Sequence, residues 1–177
     1  MDMYVVRARF GLDINLNLRC GIASVHWRVP LDLKHVHDPM DIVRSFQENI
    51  PGQKTEQGWL TIARELLLFA HDIKEGDLVF TSDTPRKQIW IGKVIKPYKY
   101  EPDLLDDDGY HIFHTLEEVR WYGQPLSRKV LAEPICTPGP GKMGLDRRGT
   151  VYLIKDCRNE LLNVMTENGI HFESKSS

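Results

Sequence analysis

Hydrophobic and polar residues alternate in several short segments of the chain, a pattern that predicts β-strands with one buried face. In the first segment Tyr4 and Val6 share one face, whereas Arg7 and Arg9 lie on the other. Only a short turn separates the third segment from the fourth, so these two are expected to pair as a hairpin. The predicted strands are residues 3–10, 20–27, 76–82, 89–95, 117–123 and 150–154.

Other segments repeat their hydrophobic residues at the spacing of an α-helix. Asp38 is a suitable N-cap for the first helix, and Pro39 suits its first position. The second helix has the clearest apolar stripe, and Gly76 is expected to end it. The predicted helices are 38–49, 58–73, a short connecting helix at 124–134, and 157–169; the stripe consists of Leu60, Ala63, Leu66, Leu67, Ala70 and Ile73.

Short strands around a few helices, without regular β–α alternation, are typical of an α+β fold. We therefore predict a curled β-sheet or a small barrel flanked by helices. A chain of 177 residues is long enough to bury a core as one domain. The predicted organisation is one domain over residues 1–160, followed by a terminal helix and a loose tail over residues 161–177.

The segment 91–102, IGKVIKPYKYEP, combines a strand with an unusual end. Gly92 lies where a close-packed neighbour or a bulge would need a glycine. Pro97 is expected to stop the strand, because proline cannot donate a hydrogen bond to a neighbouring strand. Beyond it, Tyr98 and Tyr100 alternate with lysines, so both phenol rings are predicted to point to one side.

The composition is that of an ordinary soluble protein, with 41% hydrophobic and 27% charged residues. The first ten residues lack the apolar core and cleavage site of a signal peptide, which predicts a cytoplasmic protein. No window approaches the length of a membrane span, so no membrane partner is expected. Cys20, Cys136 and Cys157 form no CxxC pair and are predicted to be reduced thiols.

Charge is unevenly distributed along the chain, although the formal net charge is only −2. Residues 79–100 contain five Lys or Arg against one Asp, and residues 119–160 contain eight Lys or Arg against four Asp or Glu. Between them, residues 101–118 contain seven Asp or Glu and no Lys or Arg. Two basic segments and an acidic loop favour a selective partner over a general nucleic-acid coat protein, although a solvated surface with ordinary scatter is an equal alternative.

Signals for catalysis are weak. Two loosely spaced histidine pairs, 35/37 and 111/114, do not supply the three or four convergent ligands of a zinc site. The aspartates of the acidic loop, 103 and 106–108, could hold magnesium, but no lysine of a nuclease motif follows them. The Pro/Gly-rich segment 138–144 is not a P-loop, although its backbone and Lys142 could contact a phosphate. We therefore expect no enzyme activity and no cofactor.

Aromatic residues at strand ends are the strongest remaining signal. Trp27, Tyr98, Tyr100 and Trp121 each lie at the end of a predicted strand or in the loop beside one. Binding residues are often placed there on a rigid scaffold, although the default role of any one tryptophan is core packing. Aromatic walls with nearby cations suit a flat ligand such as a base flipped out of a duplex.

Four blocks of the chain together resemble a known family: YVVRARF…LRCGIASVHW, LLLFAHDIKEGDLVFT, IWIGKVIKPYKYEP and HTLEEVRWYG. Over residues 4–125 the chain resembles the domain that precedes the nuclease in Mrr-type, modification-dependent restriction proteins. The resemblance implies a PUA-like fold of the EVE and YTH type, whose members read modified bases. Two departures are Leu116, where the family often has Arg, and the absence of a following nuclease domain, for which too few residues remain after 125.

The resemblance implies a non-catalytic module that recognises a modified base, in DNA more than in RNA, and acts in restriction or antiviral defence with a separate nuclease or effector protein. Two alternatives stay open: a protein-interaction or regulatory subunit on the same scaffold, and a small metal-dependent nuclease. The predicted base-binding residues are Trp27, Tyr98, Tyr100, His114 and Trp121, and the predicted contacts to the nucleic-acid backbone are Arg7, Arg9, Lys96, Lys99, Arg120 and Lys142.

Overall fold

A computed structural model describes residues 1–7, 14–50, 52, 54–130 and 149–171. This part of the chain contains one seven-stranded sheet and four α-helices. The strands are β1 (Met3–Val6), β2 (Ala23–Val25), β3 (Leu78–Asp83), β4 (Gln88–Tyr100), β5 (His114–Trp121), β6 (Leu126–Ser127) and β7 (Val151–Leu153). The helices are α1 (Ile14–Cys20), α2 (Pro39–Asn49), α3 (Glu56–Leu67) and α4 (Arg158–Glu167).

The sheet is curled and unclosed, with the strand order β2-β5-β4-β3-β1-β7 and with β6 paired to the start of β4. Strands β1 and β3 are parallel, and every other pairing is antiparallel. The pairing of β3 with β4 is the predicted hairpin. The predicted α+β fold with a curled sheet is therefore confirmed.

Hydrophobic side chains cover both faces of the sheet and form two cores. Along β1, Tyr4 and Val6 belong to the first core, and Met3 and Val5 belong to the second. The helices α2 and α3 cover the first core, where Phe46 and Trp59 stack with ring centroids 4.4 Å apart. The helix α4 covers the second core with Leu161 and Met165. The predicted boundary after residue 160 stays a prediction.

The helix α2 follows the sequence prediction closely. Asp38 adopts an extended backbone conformation and accepts a hydrogen bond from the Met40 N–H at 2.8 Å. Pro39 occupies the first turn, where its missing N–H costs nothing. Ile42, Val43 and Phe46 are the buried hydrophobic residues.

The second predicted helix differs in its buried face and in its end. Residues Trp59, Ile62, Ala63 and Leu66 are buried in α3, whereas half of the predicted stripe is only partly buried. After Leu67 the chain continues as a π-helical turn over Leu68–Asp72. Wider turns of this kind shift the register of the buried face, so Phe69 is buried instead of Ala70.

Two other expectations were wrong, and one helix was not predicted. Residues 14–20 form α1, although this segment has no amphipathic repeat that would predict a helix. The connecting helix predicted at 124–134 is replaced at Leu126–Ser127 by β6, and the part after residue 130 lies outside the described residues. Pro97 does not end β4: the ladder with β3 ends at Lys93, so only β5 flanks this position, and proline is tolerated at such an edge.

Two further observations concern the cysteines and the membrane. Cys20 and Cys157 are free thiols, the first exposed and the second buried, and Cys136 lies outside the described residues. Among the helices described above, none combines the length and the apolar character needed to cross a membrane.

Candidate functional site

Three of the predicted pocket residues contact one another at the end of β4. The pairing of β4 with β5 places Tyr100 opposite His114 and Tyr98 two residues away. The rings of Tyr98 and His114 are stacked with centroids 6.0 Å apart, and Tyr100 lies 6.2 Å from His114 in a tilted arrangement. Both tyrosines therefore lie on one side of the strand, as the alternation predicts.

Tyr98 is fixed in this group by its hydroxyl. The oxygen accepts a hydrogen bond from the Leu33 N–H at 3.0 Å and lies 3.1 Å from Nδ1 of His114. Burial raises the pKa of Tyr98, so its hydroxyl keeps its proton at neutral pH. That proton is available to His114, and the tyrosine joins the 3₁₀ turn Leu33–His35 to the sheet.

His114 is completely buried, which determines its charge. Burial lowers the pKa of His114 to about 4, although the Val29 backbone and the charge of Asp32 act in the opposite direction. The imidazole is therefore neutral at pH 7, and its Nδ1 can accept the hydrogen bond from Tyr98. Nε2 then carries the proton, and within the described part of the chain no atom meets the geometry of a hydrogen bond to it.

The stack continues into the loop before β5. Phe113 is stacked on Tyr100 at 6.2 Å, and His111 is stacked on Phe113 at 5.4 Å with an interplanar angle of 7°. Nδ1 of His111 donates to the carbonyl of Pro102 at 3.0 Å, which holds this ring in place. We call Tyr98, His114, Tyr100, Phe113 and His111 the aromatic run.

An open cleft of about 290 Å³ lies at the exposed end of the aromatic run. On its rim, the guanidinium carbon of Arg28 lies 4.7 Å from the centre of the Tyr110 ring, within the range of a cation–π contact. One wall is flat and aromatic, and the polar groups are few, which is the usual make-up of a site for a small planar ligand. The lining residues are Arg28, Pro30, Asn49, Gly109, Tyr110, His111 and Phe113.

The loop that carries much of this lining is organised by Asp106. Its Oδ1 accepts hydrogen bonds from the backbone N–H groups of Asp108 at 3.0 Å and Tyr110 at 2.7 Å. Its Oδ2 lies 3.8 Å from Nδ1 of His26. Asp106 is buried, so its carboxylate stabilises the loop. Across the described ranges, no group of three or more His, Cys, Asp or Glu side chains could hold a metal ion.

The two predicted tryptophans are held by contacts of their own. Trp27 packs edge-on against Phe46 at 5.8 Å and Trp59 at 6.3 Å, and its Nε1 donates to Oγ1 of Thr150 at 3.1 Å. Its half-buried ring thus belongs to the border of the first core. A role for Trp27 in base binding stays a prediction.

Trp121 covers the far end of the β4–β5 pair. Its Nε1 donates to the carbonyls of Asn17 at 3.1 Å and Ile22 at 3.2 Å. Its ring lies against Gly92, which is the residue opposite it in β4. The close neighbour that the sequence predicted for Gly92 is therefore this indole. Its role in base binding likewise stays a prediction.

The lysines predicted to contact phosphates are paired with carboxylates of the same chain. Nζ of Lys96 lies 3.7 Å from Glu117 and 3.4 Å from Glu118. Nζ of Lys99 lies 2.6 Å from Glu101, and this contact raises the pKa of Lys99. All of these groups are substantially exposed, so such pairs exchange readily with solvent.

The predicted arginines are differently placed. Arg7 donates to the carbonyl of Gly149 at 3.3 Å and to the hydroxyl of Tyr152 at 3.2 Å, so it joins β1 to the start of β7. Arg120 is exposed and lies opposite Lys93 in the strand pairing. Arg9 and Lys142 lie outside the described residues.

Replacing Tyr98 by Phe is expected to lower the free energy of unfolding by about 2 kcal/mol, because the Leu33 N–H and Nδ1 of His114 would both lose a buried partner. Urea denaturation of the purified variant measures this change. Tyr100→Phe is the matched control, because the Tyr100 hydroxyl makes no hydrogen bond to any described residue, and it should leave the midpoint nearly unchanged. Equal midpoints for both variants would contradict the assigned hydrogen bonds.

The family of the chain follows from a match to a family model. A family model matches residues 17–133, about two thirds of the sequence. The chain belongs to the family described as Domain of unknown function (DUF8426). The DUF8426 segment contains the whole aromatic run and every residue that lines the cleft, whereas β1, β7 and α4 lie outside it.

No curated protein matches the sequence. Among solved structures, the DUF8426 chain is similar to the YTH domain of the Zygosaccharomyces rouxii MRB1 protein, crystallised in complex with N6-methyladenosine RNA. The identity is 13%, the TM-score is 0.47, and the match covers 99% of this chain and 88% of the other. The resemblance to Mrr-type proteins stays a prediction.

Proposed function

We propose that the chain is a non-catalytic module that binds a modified base in nucleic acid, with DNA preferred to RNA, and that it acts beside a separate nuclease or effector protein. The observation that carries the proposal is the aromatic run and the cleft at its exposed end. The preference for DNA and the link to restriction or defence rest on the sequence resemblance to Mrr-type proteins.

The physical argument is the fit between a base and the cleft. A base presents two apolar faces and a polar edge, and stacking on an aromatic side chain contributes about 1–3 kcal/mol per base. His111 is the outermost ring of the stack, and Phe113 and Tyr100 support it from behind, so a base would extend the stack on His111. Asn49 donates its Nδ2 to the Ser45 carbonyl at 2.8 Å, which leaves its Oδ1 to accept a hydrogen bond from a base edge.

General attraction to a phosphate backbone is expected to be weak. Lys96 and Lys99 are already paired with carboxylates of the same chain. Binding through many phosphates is strongly salt-dependent, whereas stacking is much less so. The proposed module therefore obtains its selectivity from the cleft, and its affinity should depend only modestly on salt.

Fluorescence anisotropy with matched oligonucleotides tests the proposal. The probes carry cytosine, 5-methylcytosine, 5-hydroxymethylcytosine or N6-methyladenine at one position, either inside the strand or at a phosphorylated 5′ end, in DNA and in RNA, at two salt concentrations. We expect one modified DNA probe to bind more tightly than its unmodified counterpart at both salt concentrations. His111→Ala should weaken that binding by about 5- to 150-fold, the equivalent of one lost stacking contact.

Leu105→Ala is the matched control, because Leu105 is an exposed apolar residue of the same loop that does not line the cleft. It should leave the affinity unchanged. Uniform weak binding that high salt abolishes, or equal binding by the wild type and His111→Ala, would refute a base-binding cleft.

A protein-interaction or regulatory subunit is the second candidate. The observation that favours it is the exposure of two large apolar side chains, Leu105 (46%) and Tyr110 (43%), in the acidic loop. Apolar side chains surrounded by charge are a common feature of protein interfaces. Recovery of one stoichiometric protein without nucleic acid from the native cells, with loss of that protein on Leu105→Ala, would favour this candidate.

A further inference from the structure

Arg28 has no carboxylate partner among the described residues, in contrast to several other arginines of the chain. Arg19, Arg44 and Arg86 each bind an aspartate of the same chain. The guanidinium of Arg28 instead lies on the Tyr110 ring at 4.7 Å, on the rim of the cleft. Stacking occupies the flat face of a guanidinium and leaves the N–H groups on its edge free to bind an anion with two parallel hydrogen bonds.

The backbone on both sides of Arg28 is held in place by contacts with the rest of the protein. The Val29 N–H donates to the Trp27 carbonyl at 2.9 Å, which forms a tight bend with Arg28 at its tip. Val29 is fully buried, and Trp27 is held by Thr150, so both neighbours are anchored. A cation on an anchored bend is better suited to one defined contact than a flexible lysine is.

The charges next to the cleft limit how many phosphates it can accept. Residues 101–113, which supply much of the lining, contain five Asp or Glu and no Lys or Arg. Of these, Asp108 is exposed immediately before Gly109 on the rim, and the neighbouring Asp107 is exposed and ion-paired with Arg19. A strand that continued past the cleft in this direction would bring further phosphates towards these carboxylates, so one phosphate on Arg28 is favoured over several.

The volume of the cleft also favours a ligand with one phosphate. A volume of about 290 Å³ lies at the lower end of the range of roughly 300–1,000 Å³ for small-molecule sites. One planar ring against His111 and one anionic group on Arg28 would each contact a different residue of the same lining. A chain of several nucleotides has no comparable place in it.

From these observations we infer that the cleft recognises a single nucleotide unit, with its base against His111 and its phosphate on Arg28. The inference rests on the proposed function and defines its ligand: a free nucleoside monophosphate, or the phosphorylated end of a strand, rather than a base in the interior of a strand. Both sources present the same chemistry, a flat ring with one terminal phosphate.

Isothermal titration of the full chain tests the inference. The probes are 2′-deoxynucleosides carrying N6-methyladenine, 5-methylcytosine or 5-hydroxymethylcytosine, their 5′-monophosphates, and single-stranded oligonucleotides with the same base at a phosphorylated 5′ end or in the interior. We expect the monophosphate to bind at least 10-fold more tightly than the nucleoside. That difference should disappear in Arg28→Gln and persist in Arg64→Gln, which removes an exposed charge on α3.

The two sources are distinguished by the oligonucleotides. Binding of the free monophosphate without the 5′-end probe indicates a free nucleotide as the ligand, and equal binding of both indicates a strand end. If the interior base binds as tightly as the terminal one and Arg28→Gln changes nothing, this inference is wrong while the proposed function stands. If no modified probe binds differently from its unmodified form, the proposed function fails, and this inference fails with it.

Discussion

Lowering the pH from 7 to 5 is expected to reduce the free energy of unfolding by about 2 kcal/mol through His114 alone. This histidine is fully buried, and burial lowers its pKa to about 4, from about 6.5 in an unfolded chain. Each unit of pKa difference corresponds to about 1.4 kcal/mol. A single buried side chain therefore makes the fold sensitive to mildly acidic conditions.

The direction follows from which state binds the proton. Above about pH 6.5 His114 is neutral in both states and contributes no pH dependence. Between about pH 6.5 and pH 4 the unfolded chain binds a proton that the folded chain excludes, so stability falls as the pH falls. Below about pH 4 both states are protonated, and the total loss levels off at about 3 kcal/mol.

Urea denaturation at intervals between pH 4.5 and pH 7.5 measures this loss. Carboxylates also titrate towards the lower end of this range, so the comparison with His114→Gln isolates the histidine. The difference in free energy between the two proteins should change by about 2 kcal/mol between pH 7 and pH 5. His35→Gln removes an exposed histidine and should follow the wild type. Parallel curves for the wild type and His114→Gln would contradict a buried neutral imidazole.

Gly92→Ala is expected to lower the free energy of unfolding by about 3 kcal/mol, the upper part of the usual range for overpacking a core. A Cβ at Gly92 would lie 2.8 Å from Cε3 of Trp121 and still closer to Cγ1 of Val119. Trp121 cannot easily withdraw, because its Nε1 is bound to the carbonyls of Asn17 and Ile22. The added methyl group would therefore disturb the contact between α1 and the sheet as well as β4 and β5.

Chemical denaturation of Gly92→Ala tests this expectation, with Gly123→Ala as its control. Gly123 has no heavy atom within 4 Å of an added Cβ, so the same chemical change should cost little there. A loss at Gly123 as large as the loss at Gly92 would mean that backbone freedom, rather than the tryptophan contact, determines the effect.

The elements that were predicted correctly are those specified by neighbouring residues. The helix α2 has its cap, its proline and its apolar face within one short segment, and the β3–β4 hairpin needs only a short turn. The strand conformation at Pro97 and the helix α1 both depend on contacts with residues that are distant in sequence. Proline is tolerated in β4 because β3 does not extend beside it, and α1 is stabilised by packing that its own polar sequence does not reveal.

In the candidate site too, neighbouring residues specify some features, and strand pairing specifies the others. The contact of Tyr98 and Tyr100 with a common neighbour follows from the alternation of a strand. Phe113 and Arg28 reach the same cleft because β5 pairs with both β4 and β2. The sequence does not predict these strand pairings. The pairing of Lys96 with Glu118 likewise depends on which residue of β5 lies opposite it, whereas Lys99 pairs with Glu101, two residues further along its own segment.

The position of β1 in the sheet has a consequence for synthesis of the chain. Its two neighbours are β3, about 75 residues later, and β7, about 150 residues later. Contacts so distant in sequence are slow to form, because a long loop must close before they contribute any free energy. While a ribosome synthesises the chain from its N-terminus, β1 has one open edge until residues 151–153 emerge, and unpaired edges of this kind attract chaperones and other nascent chains.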